Sequence, residues 1–412
     1  MRIVRGPEAA KYVPKLAERR GGIAKDEPEV RRIVGDVRTR GDRALRKYAK
    51  KWDGLGTKAM RVSAAEMRRA AKQTSGELLE AARQAAENIR DFAERQKPAG
   101  WMRTRSGVSV GQLIRPLDSV GCYVPGGRYP LLSTLMMTVI PAQVAGVARI
   151  CVVSPNPRID VLAVAQELGV KEFWRVGGAQ AIAALAYGTE TIRRVDKIVG
   201  PGNSYVTAAK RLVAFDCAID MLAGPTEVVV VSHDGNPVWV ASDLVAQAEH
   251  DPEALAVMIT TSSELAQKVA EAAQKLAEGN AVAMQSLKNN GCVLVANSRK
   301  QAMEWANEIA PEHITVAEED VDLVRNAGSV FVGDYSPQAA GDYATGPNHV
   351  LPTGGAARFR GGLTVFDFLK LVTVQRMSRN GLRRMAPVIE ALAEAEGLRA
   401  HADSVRMRCQ SA

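Results

Sequence analysis

Apolar positions recur at helical spacing through the first hundred residues. Val30, Ile33, Val34 and Val37 share a face behind Asp26, an expected cap, and Gly41-Asp42 interrupts the run before Leu45 and Tyr48 resume it. Ser63 and Glu66 form a capping box. Leu78, Ala82, Ala85, Ile89 and Phe92 carry the helical period on to Pro98. Near residue 110 the pattern changes to short apolar runs alternating with helical stretches. Strands are expected at 120–124, 149–153, 173–176 and 196–199, with helices at 179–186 and 204–213. A second series predicts strands at 227–232, 255–261, 292–296, 313–317 and 329–332, and helices at 238–249, 264–277 and 299–309. Strand, short loop, helix, strand implies βαβ units, so two parallel α/β sheets in tandem are expected. From Phe366 the pattern reads as helical again, over 367–375 and 382–396. Residues 397–412 are too few for a core of their own and must dock elsewhere, a second subunit being one candidate.

Composition narrows the class. A chain of 412 residues has room for two or three packed units, and 46% hydrophobic with 24% charged residues is the mix of a soluble globular protein. The formal charge of +9 is spread along the chain, with small clusters at Arg19-Arg20 and 43–51. It suits an anionic ligand such as a dinucleotide, and no nucleic-acid-binding motif accompanies it. The five cysteines, Cys122, Cys151, Cys217, Cys292 and Cys409, are odd in number and form no CxxC pair. That argues against a disulfide framework or a thiolate zinc site and fits a reducing cytoplasm. The first residues lack the apolar run of a signal peptide, and no stretch reaches the ~18 apolar residues of a membrane span.

Five histidines are few enough for their settings to inform. His233 sits in a polar turn and needs no function. Gln247 and His250, three apart near a helix end, share a face and can meet one ion, the alternative being an exposed helix end. Glu312-His313 opens a strand after Pro311 and places two proton-transfer groups together, or is a surface turn. Asp342, Tyr343, Asn348 and His349 lie in a Gly- and Pro-rich stretch that is either functional or a long connection. Glu396 and His401 near the C-terminus could complete a site on another chain or belong to a frayed end. Two strand–glycine–helix turns, Val176-Gly-Gly-Ala-Gln180 and Val199-Gly-Pro-Gly-Asn203, are weak phosphate-binding candidates, or plain tight turns.

Taken together, these segments resemble the histidinol dehydrogenase family from about residue 20 to residue 408. The resemblance rests on Gly121-Cys-Tyr-Val-Pro-Gly-Gly127, Val199-Gly-Pro-Gly-Asn203, Ala223-Gly-Pro-Thr-Glu227, Ala246-Gln-Ala-Glu-His-Asp-Pro252, Ala310-Pro-Glu-His313, Gly341-Asp-Tyr343, Asn348-His-Val-Leu-Pro-Thr353 and the Glu396/His401 pair, in that order. It implies an α/β, aldehyde-dehydrogenase-like fold of two incomplete Rossmann-like domains. Residues 1–118 are a helical region packing with the second sheet, 119–226 an NAD-side domain, 227–365 a zinc and catalytic domain, and 366–412 a helical tail exchanged in a homodimer. It further implies two NAD-dependent oxidations of L-histidinol to L-histidine, the last step of histidine biosynthesis. One Zn2+ per subunit would be held by Gln247, His250, Asp342 and His401, the last from the partner. His313 is implied as general base and Glu312 as the group activating water. Thr226, His349 and Glu396 would lie near the substrate with those groups, and Tyr123, Gln180 and Asn203 would hold NAD. A nucleophilic role for Cys122 is weighed against packing, and packing is preferred.

The sequence departs from the family pattern at Thr226, where Ser is usual, in the loop 127–133, and at Arg360. These departures resemble the related sulfopropanediol dehydrogenases, in which Arg128, Arg358 or Arg360 would pair a sulfonate. The Glu396/His401 spacing favours the histidinol enzymes. A catalytically silent zinc-dependent dimer is a further alternative, disfavoured because Glu312 and His313 are both present.

Overall fold

The computed structural model describes residues 1–19, 23–126 and 131–410, and divides into two compact units. Arg20, Arg128 and most of the loop around it lie outside the described residues.

The first unit, 1–96 with 118–368, contains two parallel sheets. The five-stranded sheet runs Glu172–Trp174, Arg149–Val153, Ser119–Tyr123, Lys197–Val199, Ala218–Ile219. Numbered along the chain, that spatial order is third, second, first, fourth, fifth. The six-stranded sheet runs Arg2–Arg5, Cys292–Val295, Leu255–Thr260, Glu227–Val231, His313–Val316, Ser329–Val332. Leaving aside Arg2–Arg5, which pairs in parallel at its edge, it repeats the same order. Both sheets are therefore doubly wound and change winding direction between their first and fourth strands. Every residue of Ser119–Tyr123, Glu227–Val231 and Leu255–Thr260 is buried, as expected for parallel strands covered on both faces.

The N-terminal helices divide between the sheets. Gly6–Ala17 packs beside Arg299–Ile309 on the six-stranded sheet, through Ala9, Val13, Met303 and Ile309. The long helix Ile23–Trp52 instead packs on Gly178–Tyr187 and Ser204–Val213 of the five-stranded sheet, burying Val30, Ile33, Val37, Leu45 and Tyr48 against Ile182, Leu185 and Val206. The expectation that the whole region packs with the second sheet is thus corrected. A helical period reports that a face is apolar, not which sheet will cover it. Asp26 is not a cap but lies in the first turn, where it accepts a hydrogen bond from Ser204 Oγ at 2.5 Å.

The second unit, 97–117 with 369–412, is an antiparallel sheet ordered Leu369–Met377, Val108–Pro116, Trp101–Arg105, with helices Arg379–Ala395 and Arg399–Gln410. Here the helix expected at 367–375 is a strand. Leu369, Leu371 and Val372 mimic helical spacing, but Val372, Thr373 and Val374 favour extended backbone, and the strand pairs with a segment some 250 positions earlier in the chain. No local pattern reveals such a partner.

Gly41 breaks the long helix as the sequence reading anticipated, at φ 49° and ψ −132°. A Cβ there would fall on the Glu190 carboxylate, which accepts the Asp42 N–H at 2.7 Å. Gly41→Ala is expected to lower unfolding free energy by about 1–3 kcal/mol, read from denaturant midpoints. An unchanged midpoint would contradict this.

Candidate active site

Thr226, Gln247, His250, Glu312, His313, Asp342 and His349 line one pocket of about 200 Å³ in the first unit. Thr226 immediately precedes the first strand of the six-stranded sheet, and Glu312-His313 opens the fourth. The two strands are neighbours, with His313 opposite Val228. Helix Pro237–Ala248 delivers Gln247, and the turn after it His250. The short helix Gln338–Tyr343 delivers Asp342, and the following Gly- and Pro-rich stretch His349.

Hydrogen bonds order the buried polar groups. Glu312 Oε2 accepts from the Thr226 hydroxyl at 2.5 Å and from the Glu227 N–H at 2.9 Å. Because Thr226 spends its single proton on Glu312, the Gln247 amide must donate to Thr226 Oγ1 through Nε2. Oε1 of Gln247 is thereby left as an acceptor. His313 Nδ1 lies 3.1 Å from the Glu227 carbonyl. A carbonyl only accepts, so Nδ1 carries the proton and Nε2, 3.7 Å from Asp342 Oδ1, is the basic nitrogen.

Electrostatics follow from burial. Glu312 and His313 are 7% and 3% exposed. Burial pushes the Glu312 carboxyl up to about 7, with His313 and the Thr226 and Glu227 bonds opposing. For His313 burial opposes charge, but Glu312 and Asp342 outweigh it and raise the imidazole to about 9. Burial also works against the Asp342 charge, yet His313, His349 and His250 hold its carboxyl below the usual range. Burial depresses His349, whose Nε2 is enclosed with no hydrogen-bond partner among the described residues.

Gln247, His250 and Asp342 supply an amide oxygen, an imidazole and a carboxylate around one pocket, an N/O donor set that suits Zn2+. It is one donor short of the usual four, and no cluster of three His, Cys, Asp or Glu side chains able to hold a metal occurs among the described residues. Glu396 caps helix Arg379–Ala395 and His401 lies on Arg399–Gln410, both in the second unit.

Tyr123, Gln180 and Asn203 line a separate, open pocket of about 780 Å³ at the carboxyl ends of the five-stranded sheet. The sequence reading missed Asp53, which lines it too. Buried beneath the Gly177-Gly178 turn, Asp53 accepts from Gly177 N–H and from Gln180 Nε2, both at 3.0 Å. Burial raises its carboxyl to about 6 despite those bonds. The Gly178 N–H goes to Tyr123 Oη at 3.1 Å, and the Gly200 N–H to Asp220. These glycine N–H groups are therefore already paired within the protein, and the turns act here as tight turns rather than ready phosphate cradles. Only the pairing of Trp52-Asp53-Gly54 with this turn in space reveals Asp53.

Cys122 is fully buried on its strand, its thiol pushed up to about 12 by desolvation, which agrees with a packing role. Arg358 donates to the carbonyls of Gly355 and Glu308, and Arg360 to that of Asp220, so both guanidiniums are engaged by backbone and neither lines the 200 Å³ pocket. The sulfonate reading therefore finds no anion site at these positions, and Arg128 lies outside the described residues. Among the described residues no helix is long and apolar enough to cross a membrane.

The histidinol dehydrogenase family model matches residues 17–409. The histidinol dehydrogenase of Methanothermobacter thermautotrophicus is 47% identical over 391 residues, covering 91% of this chain and 92% of its own. That of Geobacillus kaustophilus is 47% identical over 393 residues, covering 92% of each. The crystal structure of histidinol dehydrogenase from Elizabethkingia anophelis superposes with a TM-score of 0.95 at 37% identity, over 100% of this chain and 98% of that one. With the geometry of the pocket and these likenesses in agreement, the chain belongs to the histidinol dehydrogenase family and is an oxidoreductase.

Proposed function

We propose that this chain oxidises L-histidinol twice with NAD, through L-histidinal to L-histidine. The observation that carries the reading is the buried Glu312-His313 pair, ordered by Thr226 and Glu227 within one pocket that also holds Gln247, His250, Asp342 and His349. Tyr123, Gln180 and Asn203 are assigned to NAD, which accepts a hydride in each oxidation. Gln247, His250 and Asp342, with His401 of the partner subunit, are assigned to Zn2+, which would orient the substrate in the pocket.

His313 Nε2, which becomes a free base as pH rises through about 9, takes the hydroxyl proton of the alcohol and later that of the aldehyde hydrate. Its Nδ1–H stays on the Glu227 carbonyl, which fixes the ring. Glu312 takes a proton from the water that adds to the aldehyde. Burial suits it to this, since a carboxylate with its proton affinity raised toward neutrality is the stronger base. The enclosed, unpartnered Nε2 of His349 supports a polar substrate group docking there. Exposed apolar side chains on the second unit, including Val388, Leu392 and Met407, support a homodimer in which that unit reaches the partner and brings Glu396 and His401 to its site. All five cysteines are free, which supports a cytoplasmic location.

Wild-type enzyme is expected to form about two NADH per L-histidinol, and no NADH would sink the reading. Glu312→Gln is expected to keep the first oxidation and slow the second by about 10²–10⁴-fold, with L-histidinal accumulating. His313→Ala should slow both. Equal losses in the two steps for Glu312→Gln would remove Glu312 from the water step.

Acidification gives a second test. Glu312 must be ionised to accept a proton, and its raised value means that the carboxylate is lost as pH falls through about 7. The rate with L-histidinal rises with pH through about 9 as His313 loses its proton, and it should fall more steeply below about 7 as Glu312 gains one; the steeper fall below 7 should vanish in Glu312→Gln. A flat profile down to pH 5 would contradict the assignment.

Removing metal by chelation should weaken L-histidinol binding, measured by calorimetry without NAD, and zinc should restore it. His250→Ala should bind weakly with or without zinc. Unchanged binding after chelation would rule out the metal as the orienting group.

A further inference from the structure

Helix Ser204–Val213 and the residue that follows strand Ala218–Ile219 form an ion pair that the proposed chemistry does not use. Lys210 and Asp220 are 2% and 6% exposed, with their side chains enclosed almost completely. Lys210 Nζ lies 2.5 Å from Asp220 Oδ1 and donates to the Gly200 carbonyl, also at 2.5 Å. Asp220 Oδ2 accepts the Gly200 N–H at 2.7 Å, and Oδ1 accepts the Met221 N–H at 2.6 Å. One residue is thus held by both its backbone groups, its N–H by the acid and its C=O by the base.

Gly200 occupies a position where this matters. It has φ 111°, and a Cβ there would fall on the Tyr123 carbonyl, so the backbone lies directly against the strand end that carries Tyr123. The turn that Gly200 opens connects the two pockets. Pro201, with Asp220 and Met221, lines the pocket of Glu312 and His313, while Asn203 lines the pocket assigned to NAD. Asn203 also caps helix Ser204–Val213 by accepting the Val206 N–H at 3.1 Å, and Lys210 projects from that helix. On the same helix, Thr207 donates to the Ala223 carbonyl at 3.0 Å, three residues before Thr226. Arg360 holds the backbone carbonyl of Asp220 from the other side.

A buried ion pair is a poor way to gain stability, because desolvation of two charges offsets most of their attraction. Here every bond of the pair beyond the pair itself goes to backbone, to the N–H and C=O of Gly200 and to the N–H of Met221. We infer that Lys210 and Asp220 are a positioning pair, which fixes the Gly200–Asn203 turn and so sets the approach of NAD to the substrate pocket. This rests on the assignment of NAD to the Tyr123, Gln180 and Asn203 pocket. Neither side chain takes part in the proton and hydride transfers assigned above.

The test is the zinc-loaded enzyme with Lys210→Met and Asp220→Leu combined. Replacing both charges with apolar groups leaves no unpaired buried charge, so the variant is expected to fold, with a melting temperature lowered by the Gly200 and Met221 backbone groups left unpaired. The Gly200 N–H and C=O lose their partners, and the KM for NAD is expected to rise by about tenfold or more while kcat falls. L-Histidinol affinity without NAD, measured by calorimetry, should fall by less than the KM for NAD rises, because Asp220 lines that pocket but Gln247, His250 and His349 are untouched. Asp220→Asn, which preserves shape but leaves the Lys210 charge unpaired, should show the same split with a lower melting temperature. Normal KM and kcat in a folded variant would overturn the inference, and so would failure of both variants to fold, which would make the pair purely structural. Wild-type enzyme without NAD-dependent turnover would instead overturn the cofactor assignment on which the inference rests.

Discussion

The site depends on the point where Glu312 Oε2 receives the Thr226 hydroxyl and the Glu227 N–H. These bonds tie the entrance of the fourth strand of the six-stranded sheet to the entrance of the first. They require the observed register, with His313 opposite Val228. Side chains alternate faces along a strand, so a slip of one residue would turn His313 away from the Glu227 carbonyl and from Asp342. The buried core on both faces of Glu227–Val231 makes such a slip costly, and in this way packing far from the pocket keeps the His313 Nδ1–H on the Glu227 carbonyl.

The two sheets share one winding yet are used at opposite ends. In the five-stranded sheet the residues assigned to NAD follow the carboxyl ends of strands, where Tyr123, the Gly177-Gly178 turn and the Gly200–Asn203 turn lie. That is the usual location for a ligand in a doubly wound sheet. In the six-stranded sheet Thr226, Glu312 and His313 sit at the amino ends. The pocket takes Pro201 and Met221 from the first sheet and Thr226 and His313 from the second, so the exit of one sheet faces the entrance of the other. Buried charges concentrate along this seam. Glu227, 2% exposed, accepts from Arg19 at 2.7 Å and from the Gly354 N–H at 2.8 Å, while its own backbone serves both Glu312 and His313.

Much of the first unit was legible because its signals are local. The strand Arg149–Val153 and the helices Ser204–Val213 and Arg299–Ile309 have the bounds that periodicity and capping residues gave them. So does the strand Ser329–Val332. The capping box at Ser63 is closed by Glu66 as its spacing requires. What escaped was non-local. Leu369–Met377 is a strand because of Val108–Pro116, and Arg2–Arg5 because of Cys292–Val295. Asp53 is an ordinary turn residue until the fold brings Gly177 and Gln180 to it.

The sequence by itself determined the βαβ alternation, the residue types able to move protons or bind a metal, and their order along the chain. Those follow from side-chain chemistry and from periods of two and 3.6 residues, which act over a few positions. Tertiary structure alone decided which of them meet. It brought Thr226, Gln247, Glu312, Asp342 and His349 into one pocket from five segments, and it set the direction of the Gln247 amide and the protonated nitrogen of His313. Hydrogen bonds and desolvation depend on distances between groups remote in the chain, and only packing fixes those distances.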